Sequence, residues 1–518
     1  MATTTPVAPD ATATGRQRLV LVAMILAVST TFIDQTIVSI AVPQIQNELG
    51  LTASGAQWIV NAYLLALAAT FAFGGRLADI FGHRRMVVTG IVVFAAASAL
   101  NGAVPSGEFA EAWLITFRAV QGFGAALMLP AALAIVVSSY GVHERGRALA
   151  KFFGITGAMT AVGPIAGGYL TEWTWRSIFW INLPIAAAAL VLIHFAHPED
   201  TRKEARVDVP GLILVAAGMA LSVLGLQEAA RWGWTSPLTI GCLAGGTLLL
   251  VAFVALELRT KEPLIQMRIF ANQAFAVENA VLFLCMIAFV PLFFFASMYS
   301  QIALGDSASE AGTYVLTFFI GFAVAAQIAG RNMDKEGAKR SVVTGCILGA
   351  VGFWLWAGEL TDLSSNAQFW YMVMAGAGVG FMLGPASTDA LNRAKRGSYG
   401  EVSGITQTVR NYGASLGLAV LGTVLLTQTK THVGHRLMKA GVPNSTAHTI
   451  ATDVGSAVGS GGHRASAAVT HAIQTGYAEA MQYVFKGMAI AMAAGAVVAI
   501  LGLRDGVQDD LDETVAAA

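Results

Sequence analysis

Five ionisable residues stand inside long apolar runs of this 518-residue chain: Asp34, Arg118, Glu278, Arg410 and Lys486. Charges in such surroundings are costly and are usually kept for function. An acid beside an arginine can act as a proton switch there. Apolar surroundings tighten a carboxyl group's hold on its proton, and a nearby guanidinium loosens it. Asp34 is the expected protonation site and Arg118 its electrostatic partner. Asp34 lies about 15 residues into its run and Arg118 about 6 into a run of opposite direction, so both fall about 9–12 Å from the same edge. The competing reading is a static pair that orients two helices. Glu278, followed by Asn279, is either a second proton or cation site or an acid that snorkels to a nearby edge. Arg410 needs a partner that the sequence does not name. Lys486 reads as a snorkelling residue.

The elements that must position these groups follow from composition. The chain is 55% hydrophobic and 12% charged, with 31 basic and 31 acidic residues and a mean hydropathy of +0.64. That balance argues against a basic nucleic-acid binder and against a disordered chain. The three cysteines, Cys242, Cys285 and Cys346, lie in apolar stretches and imply no disulfide framework. A spanning helix needs about 20 mostly apolar residues, and fourteen such stretches are present. They fall at 19–42, 56–74, 86–104, 112–138, 148–170, 177–196, 209–228, 238–257, 274–299, 311–329, 341–358, 368–389, 402–426 and 481–503. The fold class is therefore an all-α polytopic membrane protein. Lys and Arg in the short loops set orientation. With both termini cytoplasmic, 22 of the 31 basic residues fall inside.

The chain repeats itself. Gly75, Arg76, Asp79, Gly82, Arg84 and Arg85 match Gly330, Arg331, Asp334, Gly337, Lys339 and Arg340 at a constant offset of 255, and Leu129-Pro130 falls on Gly384-Pro385. Two related six-span halves with an extra two-span hairpin between them follow. The chain then divides into a disordered N-terminus (1–17), an N-terminal six-helix bundle (18–200), a linker hairpin (201–262), a C-terminal six-helix bundle (263–505) with an outer loop (427–480), and a tail (506–518). Related helical halves are how many secondary transporters are built.

Four stretches carry a resemblance to the major facilitator superfamily and to its fourteen-span drug:proton antiporter family. Gly75 to Arg85 resembles the superfamily's loop signature. Leu114, Arg118, Gln121, Gly122 and Gly124 resemble its fourth-span motif. Gly163-Pro164-Ile165-Ala166-Gly167-Gly168 resembles the fifth-span antiporter motif, and Ile33 to Val38, ending at Ala41-Val42-Pro43, the first-span motif of the exporters. The likeness covers residues 18 to about 505. It implies a major facilitator fold and proton-coupled export of hydrophobic or cationic drugs by alternating access, with no enzyme activity. Two departures stand out: Val373 where the first half has Arg118, and Asn61 near Tyr63 where a second acid would sit.

The resemblance gives Asp79 a mechanical role, bridging the halves near the start of span 402–426; a tight turn with positive-inside charge is the alternative. In span five, Gly163 and Gly167 allow close backbone approach and Pro164 adds a kink, either as a leak-tight hinge between halves or as ordinary close packing. The expected substrate cavity draws on Asp34, Arg118, Glu278, Arg410, Phe293 and Met298. The proposed conformational set is Gly75, Asp79, Gly82, Arg84, Arg85, Gly163, Pro164, Gly167, Gly168, Asp334 and Gly337. His432 and His435 are spaced i, i+3 in the outer loop, but its Gly/Ser-rich run reads as solvated rather than as a metal site. No phosphate-cradling Gly-x-x-x-x-Gly-Lys motif is present, so the proton gradient, and no cofactor, is the expected energy source. Expected partners are the lipid bilayer, protons and amphipathic or cationic substrates, with the chain a monomer in the plasma membrane and no nucleic acid involved. Export of a single metabolite or antibiotic, and a non-transporting sensor, are the competing functions.

Overall fold

A computed structural model describes residues 11–140, 142–198, 207–392, 399–452, 454, 466–503 and 506. Among these the chain is helical. The first half runs α1 (Ala11–Leu49), α2 (Ala53–Phe81), α3 (His83–Gly102), α4 (Ala110–Ser139), α5 (Val142–Trp173), α6 (Ser177–Trp180) and α7 (Asn182–Ala196). The hairpin is α8 (Val209–Gln227), α9 (Ala229–Trp232) and α10 (Pro237–Glu257). The second half runs α11 (Gln273–Tyr299), α12 (Ala308–Glu336), α13 (Ala338–Glu359), α14 (Ser365–Asn392), α15 (Tyr399–Lys439), α16 (Asn444–Thr452) and α17 (Ala467–Gly502). Fourteen spans, with α6 and α7 as one, are long and apolar enough to cross a membrane. The chain is a multi-pass membrane protein of the expected fold class. Because the span number is even, α1 starts and α17 ends on the same side, called here the terminal face; the other is the far face.

Helix ends follow from local chemistry. Asp208 caps α8, its Oδ1 accepting from the Gly211 amide at 2.9 Å. Ser307 and Glu310 form a capping box at the start of α12. Gly82 joins α2 to α3 at φ +103°, and Gly337 joins α12 to α13 at φ +81°. Both use backbone that L side chains avoid, so the 255-residue repeat is visible as geometry. It recurs in the packing: Gly90 meets the Gly124 carbonyl between α3 and α4, and Gly345 meets that of Gly378 between α13 and α14.

The hairpin is not peripheral. Val215 and Met219 of α8 share a core with Ala68 and Ala69 of α2 and with Val402 and Ile405 of α15. The Ser222 and Tyr412 hydroxyls are 2.7 Å apart. α8 thus lies along the seam between the two bundles.

Two expected boundaries change. Residues 11–17, read from sequence as disordered, are helical. Arg16 Nε donates to the Ala196 carbonyl at 3.1 Å and Gln17 Nε2 to that of Ser139 at 3.0 Å, so the start of α1 is tied to α7 and α4. Much of 427–480, read as an outer loop, is helix: α15 runs on to Lys439 and α17 begins at Ala467. These extensions pack on each other. Val433 and Leu437 are fully buried, a Cβ at Gly476 would come within 2.8 Å of the Val433 Cα, and Glu479 binds Arg436 and His432. The polar residues there lower the hydropathy without interrupting the helical spacing of the buried ones. Several expected positions lie outside the described residues: Arg202, Lys203, Arg206, Arg393, Lys395, Arg396, His463, Arg464 and Arg504, the Gly455–Gly462 run, residues 1–10 and 507–518, and the side chains of Asp334 and Arg145.

Candidate functional site

Asp34 and Arg118 meet. Neither is accessible, at 0% and 1% exposure, and Arg118 Nη1 donates to Asp34 Oδ2. The depth match between α1 and α4 was sufficient to find this pair. Three further amides complete the site. Gln121 Nε2 donates to Asp34 Oδ1 at 2.8 Å, and Asn182 Nδ2 to the same oxygen at 3.3 Å. Arg118 Nη1 also donates to Gln121 Oε1 at 2.8 Å, which accepts from Asn101 Nδ2 at 3.1 Å. The guanidinium is held from behind by its Nε, which donates to the Ile59 carbonyl at 2.9 Å, and it lies 4.5 Å over the Tyr63 ring. Asn182 Nδ2 donates to Ser98 Oγ at 3.0 Å. The acid is thus wired to α3, α4 and α7, and through Arg118 to α2, all within one bundle. Buried ionic groups are tolerated when their remaining donors and acceptors are satisfied in this way. Gln121 belongs to the fourth-span motif, but neither its contact with Asp34 nor that of Asn182 follows from the sequence.

Glu278 is not part of this network. It is fully buried on α11, in the other bundle, where the Cys285 thiol on the same helix faces that of Cys346 at 3.8 Å. Nor do the expected cavity residues form one open site. Asp34, Arg118 and Glu278 are sealed inside their bundles, and Phe293 is 1% exposed, stacked on Phe319 at 5.5 Å. Met298 instead lines a small far-face cavity with Gln46, Gln57, Phe294, Thr429 and Tyr477. Arg410 is partly exposed, and its Nη1 donates to Gln407 Oε1 at 2.7 Å. Lys486 lies 5.8 Å over the Trp354 ring and 5.7 Å over that of Tyr483.

The span-five motif works on two surfaces. A Cβ at Gly163 or Gly167 would strike Thr36 or Ile37 of α1, whereas one at Gly168 would strike Ser309 and Ala308 of α12. From the other side, Gly312 of α12 faces the Pro164 carbonyl. The motif therefore sits both within its bundle and at the seam. Far-face closure is reinforced by Ser309, which donates to Glu172, by Gln301 Nε2, which donates to the Ile40 carbonyl at 2.9 Å, and by Ser415 Oγ, which donates to Asn61 Oδ1 at 2.5 Å. Asn61 Nδ2 donates in turn to Gln227 Oε1 of α8 at 2.6 Å. Asn61, which stands where a second acid would sit, is thus a junction between α2, α8 and α15. Toward the terminal face the α5 side of the seam parts, while the α2–α15 side stays packed. Gly157, seven residues before Pro164 on the same side of α5, is exposed with nothing within 4 Å of an added Cβ.

In the loop signature, Asp79 pairs with His83 at 3.5 Å and Arg76 with Glu262 at 2.8 Å. Residues 393–398, immediately before α15 where Asp79 was expected to act, lie outside the described residues.

The family model of the Major Facilitator Superfamily matches residues 24–418. A tetracenomycin C resistance and export protein of Streptomyces glaucescens is 32% identical over 83% of this chain and 80% of its own length. A puromycin resistance protein of Streptomyces alboniger is 32% identical over 85% of this chain and 88% of its own. Among solved structures, a bacterial homologue of the human lysosomal transporter Spinster, inward-facing and unoccupied, is similar with a TM-score of 0.61 at 16% identity, covering 94% of this chain and 97% of that one.

Proposed function

The chain belongs to the major facilitator superfamily, and from that premise we propose that it is a proton-coupled antiporter exporting hydrophobic or cationic drugs. It acts as a transporter rather than an enzyme, takes its energy from the proton gradient and uses no cofactor. It sits as a monomer in the plasma membrane with both termini cytoplasmic, so the terminal face is the loading side. The basic residues of the short loops support that orientation.

One observation carries the mechanism: Asp34 is ion-paired and hydrogen-bonded entirely within one bundle. When Asp34 takes up a proton, Arg118 loses its counter-charge while still buried, and an uncompensated buried charge costs about 3–5 kcal/mol. The network must rearrange, and α1 contributes to it the acid whose three bonds change. α1 in turn packs against Gly163 and Gly167 of α5, whose opposite side forms the far-face seam through Pro164 and Gly168. A shift of α1 is thereby transmitted to the seam, and proton uptake is tied to alternating access.

Replacing Asp34 by Asn tests this. Proton-driven efflux should be abolished, with expression and ligand binding still measurable. Drug-driven proton release at the parent's level from that variant would refute the mechanism. A narrower reading, export of one metabolite or antibiotic, is favoured by relatives named for a single compound each. It predicts that efflux of ethidium, with and without uncoupler, is absent while one compound is transported.

A further inference from the structure

Arg410 has no acid. Its one protein partner is the neutral Gln407, through Nη1 at 2.7 Å, and its buried Nε has no hydrogen-bond partner. Among the described residues no carboxylate pairs with it and no aromatic ring lies against it. The contrast with Arg118, which satisfies a carboxylate, an amide, a carbonyl and a ring, is complete. A guanidinium stays protonated at any physiological pH. It stands about 16 Å along α15 from its start at the terminal face, a depth at which an uncompensated charge is expensive.

The orientation of α15 says where the charge is offered. Its Gly404, Ser415 and Gly422 face α2, its Gly413 and Gly417 face α11, and its Tyr412 faces α8. Gln407 and Arg410, one turn apart, are both partly exposed, with Arg410 at the edge of the side that Gly417 turns to α11. With Nη1 taken by Gln407 and Nε buried, Nη2 is the nitrogen left to meet a carboxylate oxygen in a charge-assisted hydrogen bond. Of the other charged side chains expected in the cavity, Asp34 is paired with Arg118 and Glu278 is fully buried on α11.

We propose that Arg410, oriented by Gln407, is the binding site for an acidic group of the substrate, so that the exported class extends beyond hydrophobic and cationic drugs to amphipathic acids. This rests on the exporter reading for its transport consequence, while binding to Arg410 stands independently. The acid arrives from the terminal face, where the seam is parted at Gly157, and supplies the counter-charge that the fold withholds.

Two dyes with one ring system and opposite charge test the assignment on the full-length protein: fluorescein, an anion, and rhodamine 123, a cation. Binding is followed by fluorescence anisotropy in detergent, and transport in proteoliposomes under an imposed pH gradient. Fluorescein should bind the parent, and rhodamine 123 serves as the control of opposite charge. Arg410→Gln should weaken fluorescein binding and raise its KM about tenfold to a hundredfold, with kcat little changed. Arg410→Lys, which keeps the charge but not the fork, should fall between, and it guards against a folding defect in the neutral variant. Rhodamine 123 should be unaffected or bound better by Arg410→Gln. Equal fluorescein affinity in parent and Arg410→Gln overturns the proposal. Arg410-dependent binding of fluorescein with no transport of either dye overturns the exporter reading and supports the site.

Discussion

A methyl group added at Gly312 would stand 2.3 Å from the Pro164 carbonyl oxygen and 3.1 Å from its carbonyl carbon. Carbon and carbonyl oxygen approach comfortably only to about 3.3 Å, so α5 and α12 must part by about 1 Å in Gly312→Ala. Neither contact is the tip of a flexible side chain, and backbone on backbone cannot yield by changing rotamer. Overpacking of this kind costs about 1–3 kcal/mol, and here it is paid only while the far face is closed. The closed population should therefore fall relative to the open one by roughly fivefold to more than a hundredfold. The assay is the labelling rate of a cysteine placed at Ala308, 2% exposed in this state, with a membrane-impermeant maleimide added from the far side. The background needs Cys242, Cys285 and Cys346 replaced. Labelling should accelerate by that factor in Gly312→Ala. Gly157→Ala on the parted side, where an added Cβ meets nothing within 4 Å, should leave it unchanged. An unchanged rate in Gly312→Ala, or an equal acceleration in both variants, would refute the placement of the closure at this contact.

Asn61→Ala should strand Gln227 Oε1 and Ser415 Oγ in the seam, costing about 1–3 kcal/mol; thermal unfolding in detergent should show a lower midpoint, while Asn61→Asp, which keeps an acceptor for Ser415, should lose less if it stays neutral. Gly82→Ala and Gly337→Ala each force a side chain into positive-φ backbone at about 1–2 kcal/mol, and both should lower the yield of monodisperse protein by similar amounts, since the two turns are copies.

The spans and the halves were legible because lipid exposure rewards continuous apolar runs and because the two copies kept their glycines at one offset. The Asp34–Arg118 pair was legible for a related reason: with so few charges within the spans, matching two depths left little choice. The amides were harder. Asn61, Gln121 and Asn182 differ little from one another in sequence context, and only the packing of the helices sends Gln121 and Asn182 to the acid and Asn61 to the seam. The far-face extensions of α15 and α17 were missed because hydropathy averages over a helix's circumference. Val433, Leu437 and Tyr477 form a buried stripe on helices whose other sides carry His, Lys and Thr. The position of the hairpin was not legible at all, because an apolar helix has no feature that states which neighbour it will cover.

That position makes the molecule lopsided in the plane of the bilayer. α8 covers the crevice between α2 and α15 from the lipid side, so hydrocarbon chains are shut out along that flank. On the opposite flank, α5 and α12 have no such cover, and below their contact Phe153 and Ile155 are 39% and 44% exposed. Among the described residues, the flank left open to the leaflet is therefore the wall of α5.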